Sequence, residues 1–366
     1  MIIQGMSAPS APSALPVTPA APAPCNIAPT LPSFKTPLNH LGVVLVTGAD
    51  AASFLQGQLT QDMQLMPVGE SRLAGYCTAK GRLLASFWVH KGVDQRVGAD
   101  TDQRQPEFLL VCSRDILAAT LKRLSMFVLR AKVKLSDASG QFQLYGLTAD
   151  AIESVASNAD SARPQGPYFS NTLMQLPPVA GVPRALCLVA ADSADGIGLA
   201  DPAAPPPQES PDGDTRVIDV ENAWWRWSEV ASGIALITQP VVEAFVPQML
   251  NYESVGGVNF KKGCYPGQEI VARSQFRGTL KRRAYLVHSD APLQAGDEVF
   301  GPQDAEQACG TVVQGAAAPD FTPASGFDAV VSMQVAAAQA GGLTLKSATG
   351  AKLSLMPLPY ALLEDI

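Results

Sequence analysis

The sequence predicts an α+β protein of several domains that closes with a small, separate β-barrel. Residues 41–135 read as strand, helix, strand, strand, strand, helix, strand, the order of a layer with helices on one face. A Pro-rich, acidic stretch, Asp201–Asp214, then interrupts the chain. Beyond Arg283, short strands alternate with Gly, Pro and Asp turns, as they do in small barrels.

The elements follow in order. Residues 1–33 are rich in Pro, Ala and Ser with almost no charge, the composition of a disordered tail. They lack the cationic start of a secretion signal and the Arg richness of a mitochondrial one. Leu41–Val46 is the first strand, Asp50 is placed to cap a helix, and Ala51–Leu59 follow on it. Gln56-Gly57-Gln58-Leu59-Thr60-Gln61-Asp62 is dense in side-chain amides, which either satisfy a helix end or face a ligand. Arg72–Ala79 and Arg82–His90 flank Lys80-Gly81 as a hairpin. Phe108–Cys112 is a strand, Ile116, Leu117, Leu121, Leu124 and Phe127 recur at helical spacing, and Val128–Leu135 reads as a strand. Residues 141–190 add two or three strands and one helix. Trp224-Trp225-Arg226-Trp227 opens a further helix, either as core or as an aromatic wall for a planar heterocycle. Strands are expected at Tyr285–His288, Thr311–Gln314, Ala329–Gln334 and Lys352–Met356. The segments are thus 1–33 tail, 34–200 first α+β part, 201–216 linker or exposed insertion, 217–283 second part, and 284–366 barrel.

Composition bounds the function classes. The chain has 366 residues, 47% of them hydrophobic, enough to bury large cores. No apolar run reaches the ~18 residues of a membrane span, so a soluble, cytoplasmic protein is expected. The net charge of −7 argues against non-specific coating of nucleic acid. The six cysteines are scattered without a C-x-x-C pair, which excludes a sequence-local zinc or cluster site; Cys77, Cys112 and Cys187 fall in apolar runs as reduced core thiols.

One stretch departs from the acidic background. Residues 261–283 carry seven Lys/Arg against one acid, a local charge of +6 that leaves −13 for everything else. Within it, Lys262-Gly263-Cys264-Tyr265-Pro266-Gly267-Gln268-Glu269 sets one cysteine between glycines and a proline, just upstream of a short helix over Gln268–Arg273. Helix dipole and neighbouring cations lower a thiol pKa. Cys264 is therefore either a reactive, ligand-touching thiol or an inert turn residue. Lys281, Arg282 and Arg283 are either a solvated interdomain surface or a docking face for an acidic partner or tRNA.

These residues carry a family resemblance. Lys262–Glu269, followed by Ala272-Arg273 and Phe276-Arg277-Gly278, resembles the hallmark motif of the YgfZ family. Phe54–Asp62, Lys80-Gly81-Arg82 and Phe245-Val246-Pro247-Gln248 support it in consistent order over about residues 38–360. The family commonly has Thr where Pro266 stands. The resemblance implies an aminomethyltransferase-like fold of three domains around a central channel, with tetrahydrofolate bound in it. It also implies a role in maintaining iron–sulphur enzymes and in tRNA thiomodification, with iron–sulphur enzymes or assembly factors and tRNA-modifying enzymes as partners. Cys264 becomes the key reactive residue. Trp225, Leu41, Gln58, Asp62, Lys262, Gln268, Glu269, Arg273 and Arg277 become the expected folate contacts, with Trp225 stacked on the pterin and Leu41 where the family's second aromatic falls. No metal ligands are expected.

Glycine-cleavage aminomethyltransferases share the implied fold but carry an Asp pair in the strand after the Gly hairpin. Ala85 and Ser86 occupy those positions, and Ala231 stands where their pterin-gripping Glu would be. A lost proton-handling group costs orders of magnitude in rate. The expectation is therefore a folate-binding accessory protein that has lost glycine-cleavage chemistry. The alternative is a one-carbon (aminomethyl) transferase that recruits a carboxylate from elsewhere, such as Asp62 or Glu269.

Overall fold

The computed structural model describes residues 33–93, 106–161, 171–191, 220–276, 280–319 and 325–363. The expected tail, the Pro-rich stretch and Arg277 lie outside the described residues. In chain order come β1 (Lys35–Pro37), β2 (Leu41–Thr47), α1 (Ala51–Gln56), β3 (Ser71–Cys77), β4 (Leu83–Val93), β5 (Pro106–Ser113), α2 (Arg114–Ser125) and β6 (Lys134–Asp137). Next are β7 (Phe142–Thr148), α3 (Asp150–Ser161), β8 (Asn171–Val179), β9 (Val182–Ala190), α4 (Val220–Ala231) and α5 (Gln268–Phe276). The chain closes with β10 (Arg282–Ser289), β11 (Glu298–Phe300), β12 (Gly310–Ala318), β13 (Gly326–Gln334), α6 (Val335–Ala340), β14 (Leu343–Leu345) and β15 (Lys352–Met356).

These strands form three units: a five-stranded sheet β3-β4-β5-β2-β6, a four-stranded sheet β1-β7-β9-β8, and a closed barrel β10-β13-β12-β11-β14-β15. The α+β class and the C-terminal barrel follow the sequence. Strand β2 shows why the first two sheets stack. Its side chains alternate between faces, and both faces are apolar. Val44 and Val46 pack with Phe54, Leu55, Ile116 and Leu124 of α1 and α2. Leu41, Val43 and Leu45 pack instead with Phe142, Leu144 and Leu186 of the second sheet and with Trp224 and Trp225 of α4.

Helix α4 is the pillar common to all three units. Trp225 has no exposed surface, and Gly146 of β7 makes room for it, since a Cβ there would lie 2.4 Å from Trp225 Cε3. Phe34 meets Trp224 edge-on, ring centres 5.4 Å apart. Trp227 Nε1 reaches the barrel, donating to Asp328 Oδ2 at 2.7 Å, while His288 Nδ1 lies 2.7 Å from Oδ1. At ~150–250 Å² per ring, each buried tryptophan contributes about 4–6 kcal/mol of transfer free energy before entropy is counted.

Three local expectations change. Val128–Leu135 does not form one strand: the chain turns after α2, Leu129 takes φ 45°, and pairing resumes only at Lys134. A positive φ on a leucine is incompatible with extended pairing. Helix α1 stops at Gln56, and Leu59 instead bridges Tyr76. Asp50 does not cap that helix through its side chain; its Oδ2 accepts from Lys132 N at 2.7 Å. Cys77, Cys112 and Cys187 are buried free thiols, and burial pushes each up to about 12.

Candidate functional site

A cavity of about 620 Å³ opens between the five-stranded sheet, helix α4 and the barrel. Leu41 and the Ser113–Asp115 turn supply one wall, Arg226 and Glu229 of α4 a second, and Leu293, Val313 and Gln314 of the barrel region a third. Such a site between packed units, apolar with a few convergent polar groups, is where small molecules commonly bind.

Glu229 organises its polar side. The carboxylate side chain is only 8% exposed. Oε1 accepts from Trp225 Nε1 at 3.1 Å and lies 2.9 Å from His40 Nε2. Oε2 is held loosely, 3.4 Å from both Arg226 Nη1 and Gln314 Nε2. Burial pushes the Glu229 pKa up, but the His40 hydrogen bond and the charges of His40, Arg226 and Arg184 outweigh it, and the net displacement is downward. The carboxylate is thus kept ionised, and its stabilising contribution is lost only as pH falls through that depressed value. Arg184, buried beneath, donates to Pro177 O and Ser228 Oγ, which fixes the last turns of α4.

This corrects the expectation drawn from Ala231. Helix α4 does present a carboxylate to the cavity, two residues earlier than the expected place. The expected alternative donors do not reach the cavity. Asp62 is buried at the end of the α1 loop, accepting from Leu65 N at 2.8 Å, and Glu269 is exposed on α5. Neither lines the cavity; Asp115 and Glu229 are the acids that do. Leu41 lines it as expected. Trp225 does not: its ring is sealed in the core and it acts on the cavity through Glu229. Signals for His40 and Glu229 were present in the sequence, a histidine just before the first strand and a lone acid one helical turn after Trp225 on the apolar side of α4.

The cysteine motif lies elsewhere. Described residues of 261–283 are absent from the cavity lining. Cys264 is exposed, on a loop clamped to the β3–β4 turn and the end of α1. Lys262 is buried, its Nζ donating to Gln56 O and Leu59 O at 2.5 Å each and standing 4.8 Å from the Tyr265 ring centre. Burial lowers the Lys262 pKa to about 8, against the pull of Asp62 and Cys264. Lys262 is thus a structural clasp rather than a free ligand contact. Gln268 Nε2 reaches back to Lys262 O at 3.5 Å, Gln58 is half-buried beside the clasp, and Arg273 is exposed. The basic island is dispersed: Arg283 is paired internally with Glu253 at 2.9 Å, while Lys281 and Arg282 face a different cavity.

Gly267 holds the clamp. It has φ 81°, and a Cβ would lie 2.4 Å from Thr78 O and 2.6 Å from Gly81 Cα. Gly267→Ala should cost about 1–3 kcal/mol in urea unfolding and loosen the Cys264 loop; a loss below about 0.5 kcal/mol would contradict this packing.

No protein-family model matches the chain. Curated relatives do. The "tRNA-modifying protein YgfZ" of Edwardsiella ictaluri is 27% identical over 93% of this chain and 97% of its own. The YgfZ of Sodalis glossinidius is 28% identical over 91% and 96%. The chain resembles the YgfZ family. The YgfZ of Yersinia enterocolitica adds 26% identity over 92% and 94%. In three dimensions the chain is similar to the glycine cleavage system aminomethyltransferase T of Bartonella henselae, with TM-score 0.57 and 16% identity over 90% of this chain and 86% of that one. That likeness establishes an aminomethyltransferase-like architecture for this YgfZ relative. Among the described residues, no helix is long and apolar enough to cross a membrane, and no three His, Cys, Asp or Glu side chains cluster to hold a metal.

Proposed function

We propose that the protein is a folate-binding accessory factor that supports tRNA modification in the cytoplasm through iron–sulphur enzymes. Tetrahydrofolate would occupy the cavity between the five-stranded sheet, helix α4 and the barrel, and Cys264 would be the reactive group. The carrying observation is Glu229, an ionised, buried carboxylate whose Oε2 is loosely satisfied inside an aminomethyltransferase-like cavity. The donor set fits the ligand. A pterin presents paired N–H donors, which suit a carboxylate. Leu41, Leu236, Leu293 and Val313 offer apolar walls, and Arg114 and Arg226 offer cations for the folate carboxylates. Bound tetrahydrofolate supplies a nitrogen that can accept or hold a one-carbon unit. The chain's part is to orient the ring against Glu229 and to hold that carboxylate ionised through His40, Arg226 and Arg184. The relatives' name, tRNA-modifying protein, supports the cellular context.

The test is a titration of tetrahydrofolate followed by tryptophan fluorescence, for which Trp225 on Glu229 is a built-in reporter. Glu229→Gln should weaken binding about 10–100-fold, the worth of a charge-assisted hydrogen bond. An unchanged affinity would remove the ligand from this cavity. A second reading, a folate-dependent one-carbon transferase, draws on Asp115 and Glu229 as the cavity's two carboxylates. Asp115 is tied at both oxygens, to Ser113 Oγ at 2.7 Å and Gln239 N at 2.9 Å, which favours the accessory role.

A further inference from the structure

A second, larger cavity of about 870 Å³ lies at the rim of the barrel, between α5, the 3₁₀ segment Pro247–Leu250 and the β13–α6 junction. Its walls are apolar at Val246, Met249, Leu280, Val335 and Ala336, and its charges are Lys281 and Arg282; among the described residues no acid lines it. This absence is informative in a chain of net charge −7. The two cations are positioned differently. Lys281 is exposed, its backbone O accepts from Val335 N at 3.0 Å, and its Nζ has no hydrogen-bond or ion-pair partner among the described residues. Arg282 is half-buried and steadied by Nη1 donating to Cys309 O at 3.1 Å, which leaves its other N–H groups for a ligand. Three amides, Gln248, Gln334 and Gln339, and the Ser274 hydroxyl complete the lining. Gln248 is fully buried: its Nε2 donates to Val271 O at 2.6 Å, and its Oε1 has no partner among the described residues. An orphaned buried acceptor is costly, and a ligand or water donor reaching it would relieve that cost.

We propose that this cavity is a second ligand site, distinct from the folate cavity, that takes a nucleotide through its phosphate. Adjacent lysine and arginine side chains suit a phosphate dianion. Apolar walls suit the flat base, and amides supply both donors and acceptors for its edge. The volume lies within the range of small-molecule sites, ~300–1,000 Å³. The phosphate can belong to a free nucleotide or to the 5′-terminal residue of an RNA. Arg283 takes no part, because Glu253 already neutralises it.

The experiment is isothermal titration of the full chain with adenosine 5′-monophosphate, adenosine, and an RNA trinucleotide with and without a 5′-phosphate. The monophosphate should bind at least about tenfold more tightly than adenosine. Lys281→Ala should weaken it about tenfold, the worth of one charge-assisted contact. Arg282→Gln should do the same, with circular dichroism checking the fold. Binding should also weaken with added salt. If the phosphorylated trinucleotide matches or exceeds the monophosphate, the natural source is an RNA end; if only the monophosphate binds, it is a free nucleotide. Equal affinity for adenosine and its monophosphate, no binding of any probe at millimolar concentration, or an unaffected Lys281→Ala would overturn the proposal. Tetrahydrofolate titration of Lys281→Ala should match the parent, which separates failure here from failure at Glu229.

Discussion

Replacing Cys264 by alanine should abolish complementation of a bacterium lacking its own YgfZ, read as tRNA thiolation, while folding is unchanged. The side chain is exposed and touches no core, so truncation should move stability by no more than about 0.5 kcal/mol. Among the described residues Cys264 is the exposed thiol; Cys77, Cys112, Cys187 and Cys309 are buried. Cys77 sits in the core behind the same hairpin with its pKa pushed up to about 12 by burial, leaving it a neutral thiol. The loop is also too well anchored to re-form around a substitute: the Lys262 clasp on Gln56 and Leu59 and the Gly267 contact fix it from two sides. Because Cys264 lies outside the lining of the cavity beside Glu229, where tetrahydrofolate is proposed to bind, Cys264→Ala should leave tetrahydrofolate affinity intact. Full complementation by the alanine variant would take the thiol out of the mechanism.

Arg283→Ala should produce the largest loss of stability, about 3–5 kcal/mol in urea unfolding, because it strands a buried carboxylate. Glu253 has a side chain with no exposed surface, and Arg283 holds it at 2.9 Å while also bonding Leu363 O at 2.9 Å. Even with its partner, burial keeps the Glu253 pKa above the ordinary value, against the backbone hydrogen bond and the Arg283 charge. The sign follows. A carboxyl whose folded pKa is raised favours the folded state below its ordinary value, and that advantage is lost as pH rises through the folded pKa. Removing Arg283 raises it further, so the variant should suffer less near pH 5 than near pH 8. A loss under about 1 kcal/mol at pH 8 would contradict a buried pair.

Much of the architecture was legible from periodicity. The apolar run of β2, the helical spacing in α2 and the short C-terminal strands are local patterns that tertiary packing did not overrule. The three-residue strands β11 and β14 were too short to leave a period, and Leu129 reads as a strand residue until its positive φ is seen. The site was harder, for a physical reason. Lys262, Trp225 and Arg283 are of types that bind ligands when exposed, and one sequence does not say which are spent on internal partners. Lys262 is spent on two carbonyls, Trp225 on Glu229, and Arg283 on Glu253. Glu229 stands two residues ahead of Ala231, the position where a related fold keeps its acid, so the motif does not point to it.

The Lys262 clasp has a bearing on how the protein is made. The carbonyls it caps belong to residues that leave the ribosome about 200 positions earlier, since Gln56 and Lys262 are 206 apart in sequence. At roughly 5–20 residues per second, the end of α1 waits ~10–40 s for Lys262, and the face of β7 at Gly146 waits ~4–16 s for Trp225. Through that interval the nascent chain carries open apolar sheet surface, and the late-made residues Lys262 and Trp225 close it only at the end of synthesis of this region.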